Sequence, residues 1–210
     1  MLCRFNFKGI IMSIKTAITG SIGSGKTLFS NYLVKKGYPV IIADDVSKDI
    51  LADDKDVREQ VIKEFGSESF AGGSINKKYL AETVFSDPVK VIKINSILHP
   101  RVIEKTDSLL NEYSAKNSLV FVEAALIYEA DMEDLFDYVV LITADENVRK
   151  QRKVEFDKFS EVDFIKRNQN QIPDEEKKKR ADFVFVNSGS KEELYNKADL
   201  LINILSGLKN

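Results

Sequence analysis

The decisive stretch of this sequence is Gly20-Ser21-Ile22-Gly23-Ser24-Gly25-Lys26-Thr27, which matches the pattern G-x-x-x-x-G-K-[ST] at every fixed position. It follows a short run rich in β-formers, residues 14–19, and precedes residues 27–36, where apolar side chains recur at helical spacing. A phosphate-binding loop (P-loop) requires this order of strand, loop and helix. The stretch therefore predicts an α/β nucleotide-binding protein. The alternative is a glycine-rich turn that binds nothing.

The chemistry of this loop follows from its residue types. Glycines let successive backbone N–H groups turn toward a phosphate, and the following helix adds its positive end. Lys26 is expected to reach the β- and γ-phosphates of ATP. The Thr27 hydroxyl is expected to bind the Mg²⁺ ion that bridges those phosphates. In this part of the chain, the predicted ATP-binding residues are the eight loop residues and Leu28.

Four further apolar runs predict the other strands of a five-stranded parallel sheet. They are residues 39–43, 118–122, 138–143 and 183–186, and the first has the continuous form of a strand buried on both faces. Helical stretches separate the runs, which predicts a three-layer α/β fold with helices on both faces of the sheet. At His99-Pro100 we expect one helix to end and another to begin, because the residue before proline resists helix.

The spacing of these strands divides the chain into regions. Residues 12–45, 118–144 and 181–210 form the predicted nucleotide-binding core. The interval 46–117 is too long for one crossover and predicts a helical substrate-binding insertion at the carboxyl edge of the sheet, where ligands bind in such folds. The highly charged residues 145–180 predict a small helical lid. Residues 1–11 precede a second methionine, Met12, and are expected to be an extension before the natural start.

Composition excludes several classes of function. The chain has 210 residues, a formal net charge of −2, one His and one Cys. No global field attracts nucleic acid, and neither an intramolecular disulfide nor a His-rich metal site can form. No apolar run approaches the roughly 18 to 20 residues of a membrane span. We therefore expect no nucleic-acid or membrane partner, and a cytoplasmic location, where thiols stay reduced. Cys3 lies in the expected extension, residues 1–11, and no catalytic role is expected for it.

Carboxylates follow two predicted strands at the edge where the P-loop lies. Asp44 and Asp45 follow the second strand, and Glu123 follows the third. A carboxylate here can accept the proton of an attacking hydroxyl or organise Mg²⁺. The alternatives are a helix N-cap for Asp44 and structural roles for Asp45 and Glu123. The basic run at residues 177–180 predicts a solvated helix face, with a contact from Arg180 to ATP phosphates as the alternative.

The order and spacing of motifs from about residue 14 to residue 190 resemble those of bacterial dephospho-CoA kinases. Besides the P-loop, the matching motifs include Ala43-Asp44, Asn95 with His99-Pro100, Glu123-Ala124-Ala125-Leu126-Ile127-Tyr128-Glu129, Arg152, Arg167 with Gln171, and Asn187-Ser188-Gly189. The resemblance implies a P-loop kinase fold and, with ATP and Mg²⁺, phosphorylation of the ribose 3′-hydroxyl of dephospho-CoA. That reaction is the last step of coenzyme A synthesis.

The resemblance also implies roles for individual residues. Asp44 falls on the acidic position that activates the 3′-hydroxyl, Arg152 on a lid arginine that neutralises the transferring phosphoryl group, and Asn187 near the adenine of ATP. The expected catalytic residues are Asp44, Lys26 and Arg152. Arg152 and Asn187 are the further predicted ATP-binding residues. The expected substrate-binding residues are Asp44, Lys48, Leu80, His99, Glu123, Leu126 and Arg167. For His99, a structural role at a helix junction is the alternative.

The sequence departs from the family pattern in several places. Ile42 stands at the first acidic position of an Asp-Ala-Asp motif, Lys48 at a usual Arg or His, and Ala125 at a usual proline. Phe156 replaces a second lid arginine, for which Lys153 or Lys158 is a candidate substitute.

Two alternatives for the function stay open. The first is another P-loop small-molecule kinase whose acceptor is a nucleotide or a metabolite alcohol. The second is a P-loop regulatory module that binds nucleotide without transfer. For the protein itself we expect a monomer or a weak homo-oligomer.

Overall fold

A parallel sheet forms the centre of the structure, a computed structural model that describes residues 13–208. The strands in this range are β1 (Ile14–Thr19), β2 (Val40–Ile42), β3 (Phe70–Ala71), β4 (Ser74–Ile75), β5 (Leu119–Glu123), β6 (Tyr138–Thr143) and β7 (Phe183–Val186). Five of them pair in the order β2-β5-β1-β6-β7, and all these pairs are parallel. The predicted five-stranded parallel sheet is therefore confirmed. The predicted extension at residues 1–11, with Cys3, lies outside the described residues.

Helices follow most of the strands. They are α1 (Lys26–Lys35), α2 (Ala43–Asp53), α3 (Lys55–Phe65), α4 (Lys77–Val84), α5 (Pro88–Ser114), α6 (Glu146–Asp157), α7 (Glu161–Gln169), α8 (Asp174–Arg180) and α9 (Lys191–Gly207). Within residues 13–208, none of the helices combines the length and the apolar character needed to cross a membrane.

Each face of the sheet has its own hydrophobic core, because side chains alternate along a strand. On one face, Val120 and Val122 of β5 pack with apolar residues of α2, α3, α4 and α5. On the other face, Leu119 and Phe121 pack with α1 and α9. All of β5 is buried, as expected for a strand covered by helices on both sides. These layers confirm the predicted three-layer α/β fold.

The edges of the sheet differ from the sequence prediction. β2 was expected to be buried on both faces, but of its three residues only Ile41 is fully buried. In β7, Val184 and Val186 are exposed. Both strands lie at the ends of the strand order, where one neighbour is missing and the helices cover less of the surface. The β3–β4 hairpin was not predicted; its turn consists of Gly72 and Gly73, both with positive φ.

The predicted break at His99-Pro100 is wrong. α5 runs unbroken with Pro100 inside it. Pro100 has no N–H to donate to the carbonyl of Ser96, so the helix lacks one hydrogen bond at this point. Leu98 and Val102, before and after the proline, are both buried. Packing of these side chains offsets the lost hydrogen bond and holds one continuous helix.

Candidate active site

A cavity of about 750 Å³ lies where the P-loop, the carboxyl ends of β2 and β5, the start of α5 and the helices α6 and α7 meet. Ligands of open parallel sheets bind at this edge. Many of the residues singled out in the sequence line it, namely Ile22, Gly23, Gly25, Lys26, Thr27, Leu28, Asp44, Glu123, Leu126, Arg152, Arg167 and Asn187. The fold thus brings together residues that are up to 165 positions apart in the chain.

The backbone of the P-loop is shaped by close contacts with later segments. Gly23 has φ 80°, and a Cβ at this position would lie 2.6 Å from the carbonyl oxygen of Arg149. Gly25 has φ 102°, and its Cβ would lie 2.2 Å from Asn187 Nδ2. That Nδ2 donates to the carbonyl of Ser24 at 2.8 Å. Only glycine fits both positions. Among residues 13–208 no side chain caps the start of α1, which leaves its first N–H groups for a ligand.

Lys26 is folded back over the loop, where its Nζ donates to the carbonyl of Gly20 at 2.7 Å. Burial lowers the pKa of Lys26 to about 8; the charge of Glu123 acts against this decrease, and the charge of Lys177 adds to it. Lys26 therefore places a buried amine in the cavity wall, and an anion bound there would stabilise its charged form.

Thr27 and Glu123 are in contact with each other in the wall of the cavity. The Thr27 hydroxyl donates to Glu123 Oε1 at 2.9 Å. Glu123 is buried, and its Oε2 accepts no hydrogen bond from the described residues. A buried carboxylate oxygen without a donor is costly unless a cation or a ligand satisfies it. This orphaned oxygen marks the place where a positively charged group fits.

Asp44 lies in the first turn of α2 and is exposed in the cavity. The N-cap position belongs to Ile42, so the alternative of Asp44 as N-cap is wrong. A carboxylate in the first turn is stabilised by the positive end of its helix. Its neighbour Asp45 pairs with Lys48 at 2.6 Å, and neither of these two residues lines the cavity.

Two arginines of the region between β6 and β7, Arg152 and Arg167, line the cavity. Arg152 on α6 has a buried Nη1 without a hydrogen-bond partner among the described residues. The guanidinium of Arg167 on α7 lies over the rings of Phe85 and Phe159, at 5.1 and 4.7 Å from their centroids. Stacking of this kind leaves the in-plane N–H groups free to bind an anion.

The two lysines considered as substitutes for a missing lid arginine are placed differently. Lys153 lines the cavity and pairs with Asp157 at 2.6 Å. Lys158 caps the end of α6 with a left-handed backbone and does not line the cavity. Phe156, which occupies the position of that arginine, also lines the cavity and is 77% exposed.

Some residues singled out in the sequence lie elsewhere. Lys48 lines a second groove, beside the β3–β4 hairpin. Leu80, on α4, is buried in the core, and His99 is half-buried in α5, where burial lowers its pKa. In the P-loop itself, Gly20, Ser21 and Ser24 are buried behind the cavity wall. These six residues do not line the cavity.

Sequence reasoning missed several residues that support the P-loop. Asp174 accepts hydrogen bonds from the hydroxyls of Ser21 and Thr143. Arg149 is buried, and its Nη1 donates to the carbonyl of Ile22 at 3.1 Å. Asp174 and Lys177 are three positions apart, but Glu175–Lys178 and Glu176–Lys179 share this spacing, so no local signal marked the buried helix face.

The basic run at residues 177–180 is not uniformly solvated. Lys177 is fully buried, so that part of the prediction is wrong. Arg180 pairs with Glu133 and lies over the ring of Tyr128, at 4.3 Å from its centroid. It does not line the cavity, which argues against the alternative of a phosphate contact.

Comparison with known proteins identifies the family of this site. The dephospho-CoA kinase family model matches residues 14–193. A dephospho-CoA kinase of Bacteroides fragilis is 36% identical over 183 residues, which cover 86% of this chain and 87% of that protein.

Two solved structures are similar over nearly the whole chain. A Thermus thermophilus protein has a TM-score of 0.76 at 30% identity, and a Campylobacter jejuni dephospho-CoA kinase has a TM-score of 0.64 at 26% identity. Each alignment covers 92% of this chain and 98% of the other. Since both the family model and the sequence relatives span most of its length, the chain belongs to the dephospho-CoA kinase family.

Proposed function

We propose that this protein transfers the γ-phosphate of ATP to the ribose 3′-hydroxyl of dephospho-CoA, the final step of coenzyme A synthesis. The observation that carries the proposal is the cavity in which a family-matching P-loop, Asp44 and the lid arginines meet. The P-loop and the relatives named dephospho-CoA kinase both support the use of ATP.

ATP is proposed to bind with its phosphates in the P-loop. The N–H groups at the start of α1 and the Lys26 ammonium bind the β- and γ-phosphates. Leu28 and Asn187 lie on the adenine side. Asn187 also holds the carbonyl of Ser24, so it supports the loop as well as lining the site.

The oxygen donors of the site fit Mg²⁺. Thr27 Oγ1 and the orphaned Glu123 Oε2 would hold the ion, with Asp44 nearby, and phosphate oxygens and water would complete the set. Within residues 13–208 no cluster of three or more His, Cys, Asp or Glu side chains could hold a metal by itself. When bound, the ion neutralises charge on the β- and γ-phosphates.

Asp44 is proposed to act as the general base. Its exposed carboxylate accepts the proton of the 3′-hydroxyl, whose oxygen forms a bond to the γ-phosphorus. The bond from that phosphorus to the bridging oxygen of ADP breaks, and ADP leaves. Arg152, with its unpartnered Nη1, neutralises charge on the transferring phosphoryl group.

The acceptor and the lid occupy the rest of the cavity in this proposal. Glu123, Leu126 and Arg167 line it and contact the acceptor, whereas Lys48, Leu80 and His99 are assigned to packing and to the surface. Residues 46–117 form the acceptor-binding region. Residues 145–180 form the lid, whose closure expels water and limits ATP hydrolysis. We also propose a cytoplasmic monomer or weak homo-oligomer that binds no nucleic acid.

A transfer assay with radiolabelled ATP tests the function. Dephospho-CoA is the expected acceptor, and AMP and shikimate serve as controls for the alternative of another small-molecule kinase. Label in coenzyme A supports the proposal. Label in AMP or shikimate instead would replace it with that alternative, and label only in free phosphate would favour a binding module.

A further inference from the structure

One segment, residues 171–177, connects α7 with α8 and contacts the P-loop on the way; it is called the strap below. Gln171 Oε1 accepts from the N–H of Ile22 at 2.8 Å. Asp174 accepts from the Ser21 hydroxyl with one carboxylate oxygen and from Thr143 Oγ1, at 2.5 Å, with the other. Two consecutive P-loop residues are thus fixed by side chains of the strap.

Lys177 fastens the far end of the strap. Its side chain is fully buried, with Nζ 3.0 Å from Glu129 Oε1 and 3.3 Å from the carbonyl oxygen of Ala125. The same Glu129 oxygen accepts from the N–H of Ile172 at 2.8 Å. Lys177 and Glu129 therefore tie both the helix and the backbone of the strap to the loop after β5, which also carries Leu126 into the cavity.

A contribution to stability alone does not explain well why the ion pair of Lys177 and Glu129 is buried. Burying two charges costs desolvation energy, and apolar residues of similar volume often stabilise a fold as well or better. The pair is also close to the chemistry, since the charge of Lys177 is one of the influences acting on Lys26. The ammonium of Lys177 makes directed polar contacts that help to fix the geometry of the phosphate-binding loop, and an apolar residue could not make them.

We propose that Lys177 is a positioning residue: its buried ammonium anchors the strap, and through Gln171 and Asp174 the strap holds Ser21 and Ile22 in the backbone conformation that binds ATP. The inference rests on the part of the proposed function that places ATP in the P-loop. It concerns ATP affinity and turnover.

The test separates positioning from stability. Lys177→Met alone would leave the Glu129 carboxylate buried and unpaired, and its Oε2 already has no partner among the described residues. The double variant Lys177→Met/Glu129→Gln removes both charges and is expected to melt within a few degrees of the wild type. The matched control is Lys179→Met on the same helix, whose exposed side chain pairs with Glu176.

Titration calorimetry with ATP and steady-state kinetics are the readouts. In the double variant we expect the Kd for ATP to rise and kcat to fall by about tenfold or more, as for a misplaced reacting group. The rise in Kd for ATP is the discriminating readout, because a general loss of folded protein would lower the apparent kcat and the binding stoichiometry and leave the Kd unchanged. Lys179→Met should match the wild type. A folded double variant with wild-type Kd for ATP and kcat would overturn the proposal.

A second variant keeps the proposal testable if the double variant does not fold. Asp174→Asn keeps the size of the side chain but weakens the bonds to Ser21 and Thr143, and the same loss of ATP affinity is expected. Wild-type ATP affinity in a folded Asp174→Asn protein would contradict the inference. Because ATP affinity is measured without acceptor, failure of the wild type to phosphorylate dephospho-CoA would refute the proposed function and leave this inference standing.

Discussion

Lys26 links ATP binding to pH, because burial lowers its pKa to about 8. The triphosphate favours the protonated form, so the pKa is higher in the complex than in the free protein. Between the two values binding takes up a proton, and affinity falls as pH rises above 8, by at most about tenfold per unit. Calorimetry between pH 7 and pH 9.5 should show this decrease.

The variant Lys26→Ala is the control for the pH dependence of ATP affinity. This variant should bind ATP weakly at pH 7, lower turnover by at least about a hundredfold, and show no decrease in affinity that begins near pH 8. A wild-type Kd that is constant from pH 7 to pH 9 would contradict the assignment of Lys26 to the phosphates.

Asp44 is the residue on which proton transfer depends in the proposed mechanism. Asp44→Asn preserves size and removes the base, so turnover should fall by at least about a hundredfold while the Kd for ATP changes little. Asp45→Asn is the matched control, because Asp45 pairs with Lys48 outside the cavity. Steady-state kinetics on both variants decide the point, and near-normal turnover in Asp44→Asn would remove its role as base.

Among the helices, α5 shows how packing overrides a local signal. Pro100 is exposed and lies inside the helix, where proline costs about 3 kcal/mol relative to alanine. Pro100→Ala restores an N–H to the helix and should raise the free energy of unfolding by about 1 to 3 kcal/mol, with turnover unchanged. Urea denaturation measures the effect. A lower stability in this variant would show that the proline shapes the packing of α5.

The strands and the P-loop could be predicted from sequence because their signals are local. A strand, a glycine-rich loop and a helix follow one another within residues 14–36, and the carboxyl ends of neighbouring strands then place Asp44 and Glu123 near the loop. The unbroken α5 and the exposed edge strands could not be predicted, since both depend on which elements cover them.

The burial of Lys177 could not be predicted from the local sequence either. In sequence it begins a run of four basic residues, and nothing local distinguishes it from Lys178 or Lys179. In the fold, the packing of α8 against β6 and against the loop after β5 buries Lys177 and leaves its neighbours at the surface. Lys177 pairs with Glu129, which lies 48 residues earlier in the chain. This contact forms only in the folded protein, and no sequence pattern predicts it.

The small net charge of the molecule conceals a strong local separation of charge. The cavity is lined by five basic and three acidic side chains: Lys26, Arg152, Lys153, Arg167 and Lys191 against Asp44, Glu123 and Asp157. Lys177 lies behind that wall. The cavity therefore carries a surplus of positive charge in a protein whose formal net charge is −2. Such a site attracts a polyanion locally. The proposed reaction needs this attraction, because both ATP and the proposed acceptor carry phosphate groups.

Binding of ATP should therefore be visible as stabilisation of the whole protein. A ligand present at a hundred times its Kd adds about 2.7 kcal/mol to the free energy of unfolding. For a chain of about this length, each kcal/mol raises Tm by roughly 2 to 4 °C, so Mg·ATP should raise Tm by about 5 to 10 °C. Scanning calorimetry with Mg·ATP, with adenosine and without ligand measures the shift.

The variant Lys26→Ala tests whether phosphate binding at the P-loop causes this rise in Tm. At the same concentration of Mg·ATP this variant should show little increase in Tm, because the phosphates lose their cationic partner. Adenosine should leave both proteins nearly unchanged, since the phosphates supply most of the contacts. Equal stabilisation by adenosine and ATP would mean that the loop does not hold the triphosphate, and would contradict the proposed position of the phosphates.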